Sequence, residues 1–218
     1  MVRVKICCIS SVAEAELAVR HGASAIGLVG HMPSGPGVIG DELIAEIAAA
    51  VPPAVATFLL TSETESDAIV EHVRRCGTNT VQLVDSVDPQ AYGSLRKALP
   101  HLKIVQVIHV TGPESVGEAK KCAMLADALL LDSGRPAAAV KELGGTGRVH
   151  DWTLSRRIVD EVARPVFLAG GLRPDNVAEA WQAVRPFGLD LCTGVRTDDK
   201  LDAAKLKEFF RELGPARH

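Results

Sequence analysis

Eight short apolar runs, each followed by a stretch of helical periodicity, constrain the fold of this chain more than any other feature. The runs fall at 2–8, 24–29, 55–60, 80–84, 103–110, 128–132, 165–169 and 189–192. Between and after them, helices are predicted at 12–21, 41–51, 63–76, 89–99, 113–124, 153–162, 174–184 and 202–213. Local signals agree with this reading. Ser11 is a helix N-cap and Gly22 a helix stop; Asp151 or Thr153 caps the sixth helix. The third helix starts acidic and ends in Arg74 and Arg75, as the helix dipole favours. Nearly continuous apolar strands suit parallel pairing with both faces covered. Eight strand–helix units of about 27 residues predict a (β/α)8 TIM barrel, one domain over residues 1–218. The competing architecture is an open doubly wound sheet. The turn after the first strand lacks GxGxxG, and the glycine-rich turns fall late in the chain, which is the reverse of what that sheet needs.

Composition narrows the function classes. Lys and Arg number 24 against 27 Asp and Glu, a net charge of −3 with no basic run, so no footprint for nucleic acid appears. Aromatic residues, at 4%, are too few for base-stacking surfaces. No apolar run is long enough to cross a membrane, and no signal-peptide pattern is present. Five cysteines, with no CxxC pair, resemble neither a disulfide framework nor a zinc site; a reducing cytoplasm is the expected compartment. Cys76, Cys122 and Cys192 are expected to be packing residues.

In a parallel barrel the chemistry sits at the C-terminal strand ends. Lys5 and Cys7 alternate onto one face of the first strand, where a nearby ammonium favours a thiolate. Asp132 ends a very apolar strand, where burial favours its neutral, proton-donating form. Gly170-Gly171 and Thr193-Gly194 follow the seventh and eighth strands, and Gly144 to Gly147 lie in the long loop after the sixth. Glycine lets backbone N–H groups approach an anion, so these turns form a phosphate seat. His109 ends the fifth strand, as a pocket residue or a hydrogen-bonded structural one; Trp152 and Trp181 are expected to pack. An acid, a base and a phosphate seat suit a sugar-phosphate isomerase. HExxH, GxSxG and P-loop patterns are lacking.

These residues resemble a known family. Lys5-Ile6-Cys7, Val81-Gln82-Leu83, Leu130-Leu131-Asp132, Gly144-Gly145-Thr146-Gly147 with Asp151-Trp152, Leu168-Ala169-Gly170-Gly171-Leu172, Asn176-Val177, Asp190, Gly194 and Val195 are similar to the motifs of phosphoribosylanthranilate isomerase, a barrel enzyme of tryptophan biosynthesis. The resemblance spans nearly the whole chain. It implies an Amadori rearrangement in which Asp132 is the acid and Cys7 the base, without a metal or organic cofactor. It also implies that Gly145, Gly147, Gly170, Gly171, Gly194 and Val195 hold the phosphate of a small phosphorylated substrate, in a monomer or homodimer. Lys5, Gln82 and His109 are further substrate candidates.

Four departures stand out. The glycine of the family's KICG motif is Cys8 here, and its QLHG is Gln82-Leu83-Val84-Asp85. Its SSGVE is Cys192-Thr193-Gly194-Val195-Arg196, and the loop 33–37 lacks the arginine that meets the anthranilate carboxylate. An unpaired buried carboxylate would cost about 2–5 kcal/mol. His31 or Arg196 is therefore the expected replacement cation. The alternatives are a paralogous barrel enzyme acting on another phosphorylated sugar or amine, or a non-catalytic phosphate-ligand binding protein.

Overall fold

Every one of the eight apolar runs is a strand in the computed structural model, which describes residues 2–134 and 150–214. The strands are β1 (Arg3–Ile6), β2 (Ala25–Val29), β3 (Ala56–Thr61), β4 (Thr80–Leu83), β5 (Lys103–His109), β6 (Ala128–Asp132), β7 (Val166–Leu168) and β8 (Gly188–Leu191). Each pairs in parallel with the next, and β1 pairs with β8, so the sheet closes into a barrel. The helices are α1 (Val12–Arg20), α2 (Asp41–Ala50), α3 (Ser66–Cys76), α4 (Pro89–Ala98), α5 (Glu114–Ala123), α6 (Trp152–Glu161), α7 (Val177–Val184) and α8 (Ala203–Leu213). Among the described residues no helix is long and apolar enough to cross a membrane.

The period of two along each strand divides the core. Val4 and Ile6 point into the layer shared with the helices, where Leu28, Leu59, Leu83, Ile108, Leu131 and Leu168 also lie. Cys7 joins Phe58, Val105, Val107, Leu130 and Phe167 inside the barrel. Phe58 and Phe167 meet edge to face at 6.0 Å there.

Two of the N-caps are those read from the sequence, while Asp88 and Asp202, not singled out there, cap α4 and α8. Ser11 accepts a hydrogen bond from the N–H of Glu14, and Asp151 from that of Thr153. Helix α7 starts at Val177, three residues after Pro174. Asn176 holds the intervening turn by accepting from the N–H of Arg173 and donating to the carbonyl of Gly171. A short antiparallel pair, β9 (Arg196–Thr197) with β10 (Lys200–Leu201), was not evident in the sequence. Its turn uses Asp198 and Asp199, both at positive φ, a conformation that aspartate tolerates better than most residues.

Helices α2 and α3 are tied by a relay that runs from the core out to the surface. Thr61 Oγ1 meets His72 Nδ1 at 3.0 Å, His72 Nε2 meets Asp41 Oδ1 at 3.2 Å, and Arg75 Nε donates to Asp41 Oδ2 at 2.7 Å. Cys76 is close by, but both Asp41 oxygens and both imidazole nitrogens are already engaged in this relay.

Candidate active site

Strand β1 stops at Ile6, two residues short of the apolar run, because Cys8 adopts φ 62° and turns the chain off the sheet. Glycine enters that region without steric cost, whereas other residues must be held there. Arg196 does the holding. Its Nη2 donates to the carbonyls of Cys7 and Cys8, and Nη1 donates to Asp199 O at 2.8 Å. Glu14 pairs with the same guanidinium through both oxygens, at 3.0 and 3.1 Å. Burial works against the Glu14 charge. Arg196 and the N–H groups of Leu201 and Ser10 outweigh it and hold the carboxyl below the usual carboxylate range. Arg196 is thus a clamp on the turn that carries Cys7, and the expectation that it replaces the missing substrate cation is overturned.

The turn opens on a cavity of about 660 Å³, its open rim included, at the C-terminal mouth of the barrel. Cys7, Gln82, Asp132, Gly170 and Gly171, all predicted from the sequence, line it together. Asp190, Thr193 and an apolar wall of Val29, Met32, Pro36 and Leu60 are also part of the lining. No lysine, arginine or histidine lines it among the described residues. Gln82 Oε1 is buried with no hydrogen-bond partner, an acceptor left for a ligand.

Below Cys7, Lys5 is fully buried, and its Nζ donates to Asp190 Oδ1 at 2.9 Å across the β1–β8 register. Burial opposes the ammonium, but the charges of Asp190 and Cys7 outweigh it and raise Lys5 above its ordinary value. Burial likewise lifts the Asp190 carboxyl against the pull of Lys5. The Cys7 thiol is pushed up to about 11: burial raises it, Lys5 lowers it, and the Asp190 charge raises it further. The expectation that Lys5 leaves a ready thiolate is therefore corrected, since desolvation dominates in the closed barrel.

The turns after β7 and β8 are built from obligatory glycines. Gly170 and Gly171 sit at φ 81° and 64°, and their N–H groups make no hydrogen bond among the described residues. A Cβ on Gly194 would lie 2.0 Å from the carbonyl oxygen of Leu172. Gly194 and Val195 belong to a 3-10 turn, Thr193–Val195, that follows β8. Gly145 and Gly147 lie outside the described residues.

Like Lys5, Arg196, Gly194 and Val195, two further predicted residues do not line the cavity. His31 is exposed and does not line the cavity; its carbonyl accepts a hydrogen bond from Ser62. His109 is buried, with Nε2 on the carbonyl of Val84 at 3.0 Å, which is the structural alternative. Cys192 is corrected from a packing residue to one half of a disulfide with Cys8 on the cavity wall. Sequence reasoning also missed Glu14. The pattern Ser11-x-x-Glu14 is a readable capping box, but its tie to Arg196 crosses 182 residues.

Comparison with known proteins gives this arrangement its context. The sequence profile of N-(5'-phosphoribosyl)anthranilate (PRA) isomerase matches residues 4–212. The chain belongs to the phosphoribosylanthranilate isomerase family. It is 39% identical over 195 residues to N-(5'-phosphoribosyl)anthranilate isomerase 2 of Methanosarcina mazei, covering 89% of this chain and 85% of that one. It is 34% identical over 214 residues to the isomerase of Methanocella arvoryzae, covering 98% of each. The fold superposes on the crystal structure of phosphoribosyl anthranilate isomerase from Thermus thermophilus with a TM-score of 0.82 and 28% identity, covering 97% of this chain and 98% of that one. The family assignment makes this chain an aldose–ketose isomerase.

Proposed function

We propose that this protein converts N-(5'-phosphoribosyl)anthranilate to its 1-deoxyribulose isomer, with Asp132 as acid and Cys7 as base. The observation that carries the reading is that both side chains line one cavity together with Gly170 and Gly171. Asp132 gives a proton to the ribose ring oxygen, and the C1–O bond breaks to leave an open-chain Schiff base. The Cys7 thiolate then removes the C2 proton, and the resulting enolamine tautomerises to the ketone. Backbone N–H groups of Gly170, Gly171, Gly194 and Val195 bind the phosphate, with Gly145 and Gly147 from the loop after β6. Gln82 Oε1 accepts from a sugar hydroxyl. The anthranilate ring lies against Met32, Pro36 and Leu60. Lys5 and Asp190 position Cys7 from below. The protein works as a monomer or homodimer in the cytoplasm.

The test is turnover of phosphoribosylanthranilate generated in situ. Cys7→Ser and Asp132→Asn are each expected to lower kcat by at least about 100-fold while the fold survives. A folded wild type that leaves this substrate unchanged sinks the reading.

A further inference from the structure

Two departures from the family's motifs meet in space. Cys8 stands at the KICG glycine and Cys192 at the first serine of SSGVE. They are 184 residues apart in sequence, yet their Cα atoms are 5.9 Å apart and a disulfide joins them. The bridge crosses the seam where β8 closes on β1, and both residues line the mouth cavity.

We propose that Cys8–Cys192 is a reversible oxidation site that locks the turn carrying Cys7 to the turn that seats the phosphate. Cys8 occupies a backbone conformation that favours glycine, so a side chain there must be over-determined by its surroundings. Arg196 restrains its carbonyl. The loop after β2 restrains its side chain: a Cβ on Gly37 would lie 2.5 Å from Cys8 Cβ, and Cys8 Sγ is 3.7 Å from the Pro36 carbonyl oxygen. The bridge adds the link to Cys192, the residue immediately before the 3-10 turn of Thr193, Gly194 and Val195. Cys7 stays out of the exchange. Its thiol is buried and hard to ionise, and the thiolate is the species that attacks a disulfide.

The chemistry balances with a low-molecular-weight disulfide of the glutathione class as oxidant. Cys8 and Cys192 give up two protons and two electrons as their S–S bond forms. The oxidant's S–S bond is cleaved to two thiols, and a dithiol reductant reverses both changes. Because both cysteines line the cavity, an occupant there covers the bridge and slows its reduction.

The existence of the bridge does not depend on the proposed substrate, whereas its effect on phosphate binding rests on that reading. The full chain is equilibrated with glutathione at graded ratios of disulfide to thiol, quenched by alkylation and mapped by peptide mass spectrometry. Cys8 and Cys192 are expected to become protected together, with Cys7 still alkylated after unfolding. The oxidised protein should melt roughly 5–15 °C above the reduced one, because the bridge closes a long loop. Inorganic phosphate should bind at least threefold more tightly to the oxidised form, and should slow reduction of the bridge. Cys192→Ser should match the reduced protein whatever the glutathione ratio. Free thiols at Cys8 and Cys192 at every ratio, a Cys7–Cys8 pairing, or a bridge that moves neither Tm nor phosphate affinity would overturn the proposal. If phosphate binds neither form, the phosphate seat and the proposed coupling to it fall, while the thiol map and Tm still decide whether the bridge is an oxidation site.

Discussion

The Cys7 thiol is harder to ionise than its lysine neighbour suggests. At about 11, roughly one molecule in a thousand carries the thiolate at pH 8. If the thiolate is the base, kcat/KM should climb about tenfold per pH unit between pH 7 and 9. A profile already flat at pH 7 would show that another group takes the proton. The Glu14–Arg196 pair belongs to the same scale. Glu14→Gln leaves a guanidinium, 8% exposed, without its counter-charge. We expect a loss of about 2–4 kcal/mol in urea unfolding. A fall in kcat at unchanged KM should accompany it, because the turn that aims Cys7 loosens. Arginine in the loop 33–37 would restore the cation that the described cavity wall lacks.

At the scale of elements, the turns after β7 and β8 approach so closely that no side chain fits at Gly194. Gly194→Ala would drive a Cβ to within 2.0 Å of the Leu172 carbonyl, a backbone atom that cannot move aside alone. The turn after β8 must shift, so KM should rise at least tenfold, with a smaller change in kcat, in steady-state kinetics. Gly30 follows the last residue of β2 and abuts His72 of the relay. A Cβ there would meet His72 Cε1 at 2.5 Å. Gly30→Ala should cost about 1–3 kcal/mol by overpacking, measurable by urea unfolding, while leaving the mouth cavity's lining intact. The relay explains why that glycine is needed: the His72 imidazole, carried on α3, lies against Gly30 while it reaches Thr61 on β3 and Asp41 on α2.

For the whole molecule, alkaline pH should erode stability. Thiols in the unfolded chain ionise near 9, whereas folded Cys7 is pushed up to about 11 and Cys76 to about 12, both by burial. Between those values the unfolded chain has lost protons that the native protein keeps. This part of the stability is full below pH 9 and is lost as pH rises through the folded values. Tm should therefore fall steadily from pH 9 to 11. The fall should be shallower in Cys7→Ser and Cys76→Ser, each compared with its own Tm at pH 8. An unchanged slope in both variants would show that other groups govern the alkaline limb.

The barrel was legible because its signals are local. Apolar runs, capping residues and periodicity act within a few residues of one another, and eight repetitions leave one economical closure. The strand-end positions of Cys7, Asp132, Gly170 and Gly171 followed from the same pattern, as did Gln82 from the resemblance. Tertiary structure decided the rest. It set Arg196 against Glu14, 182 residues away in sequence, and off the cavity lining. It gave His109 a structural hydrogen bond, and it reversed the expected ease of ionising Cys7, because desolvation depends on the closed barrel and not on the neighbouring lysine. It also brought Cys8 to Cys192, since the first and last strands become neighbours only when the sheet closes.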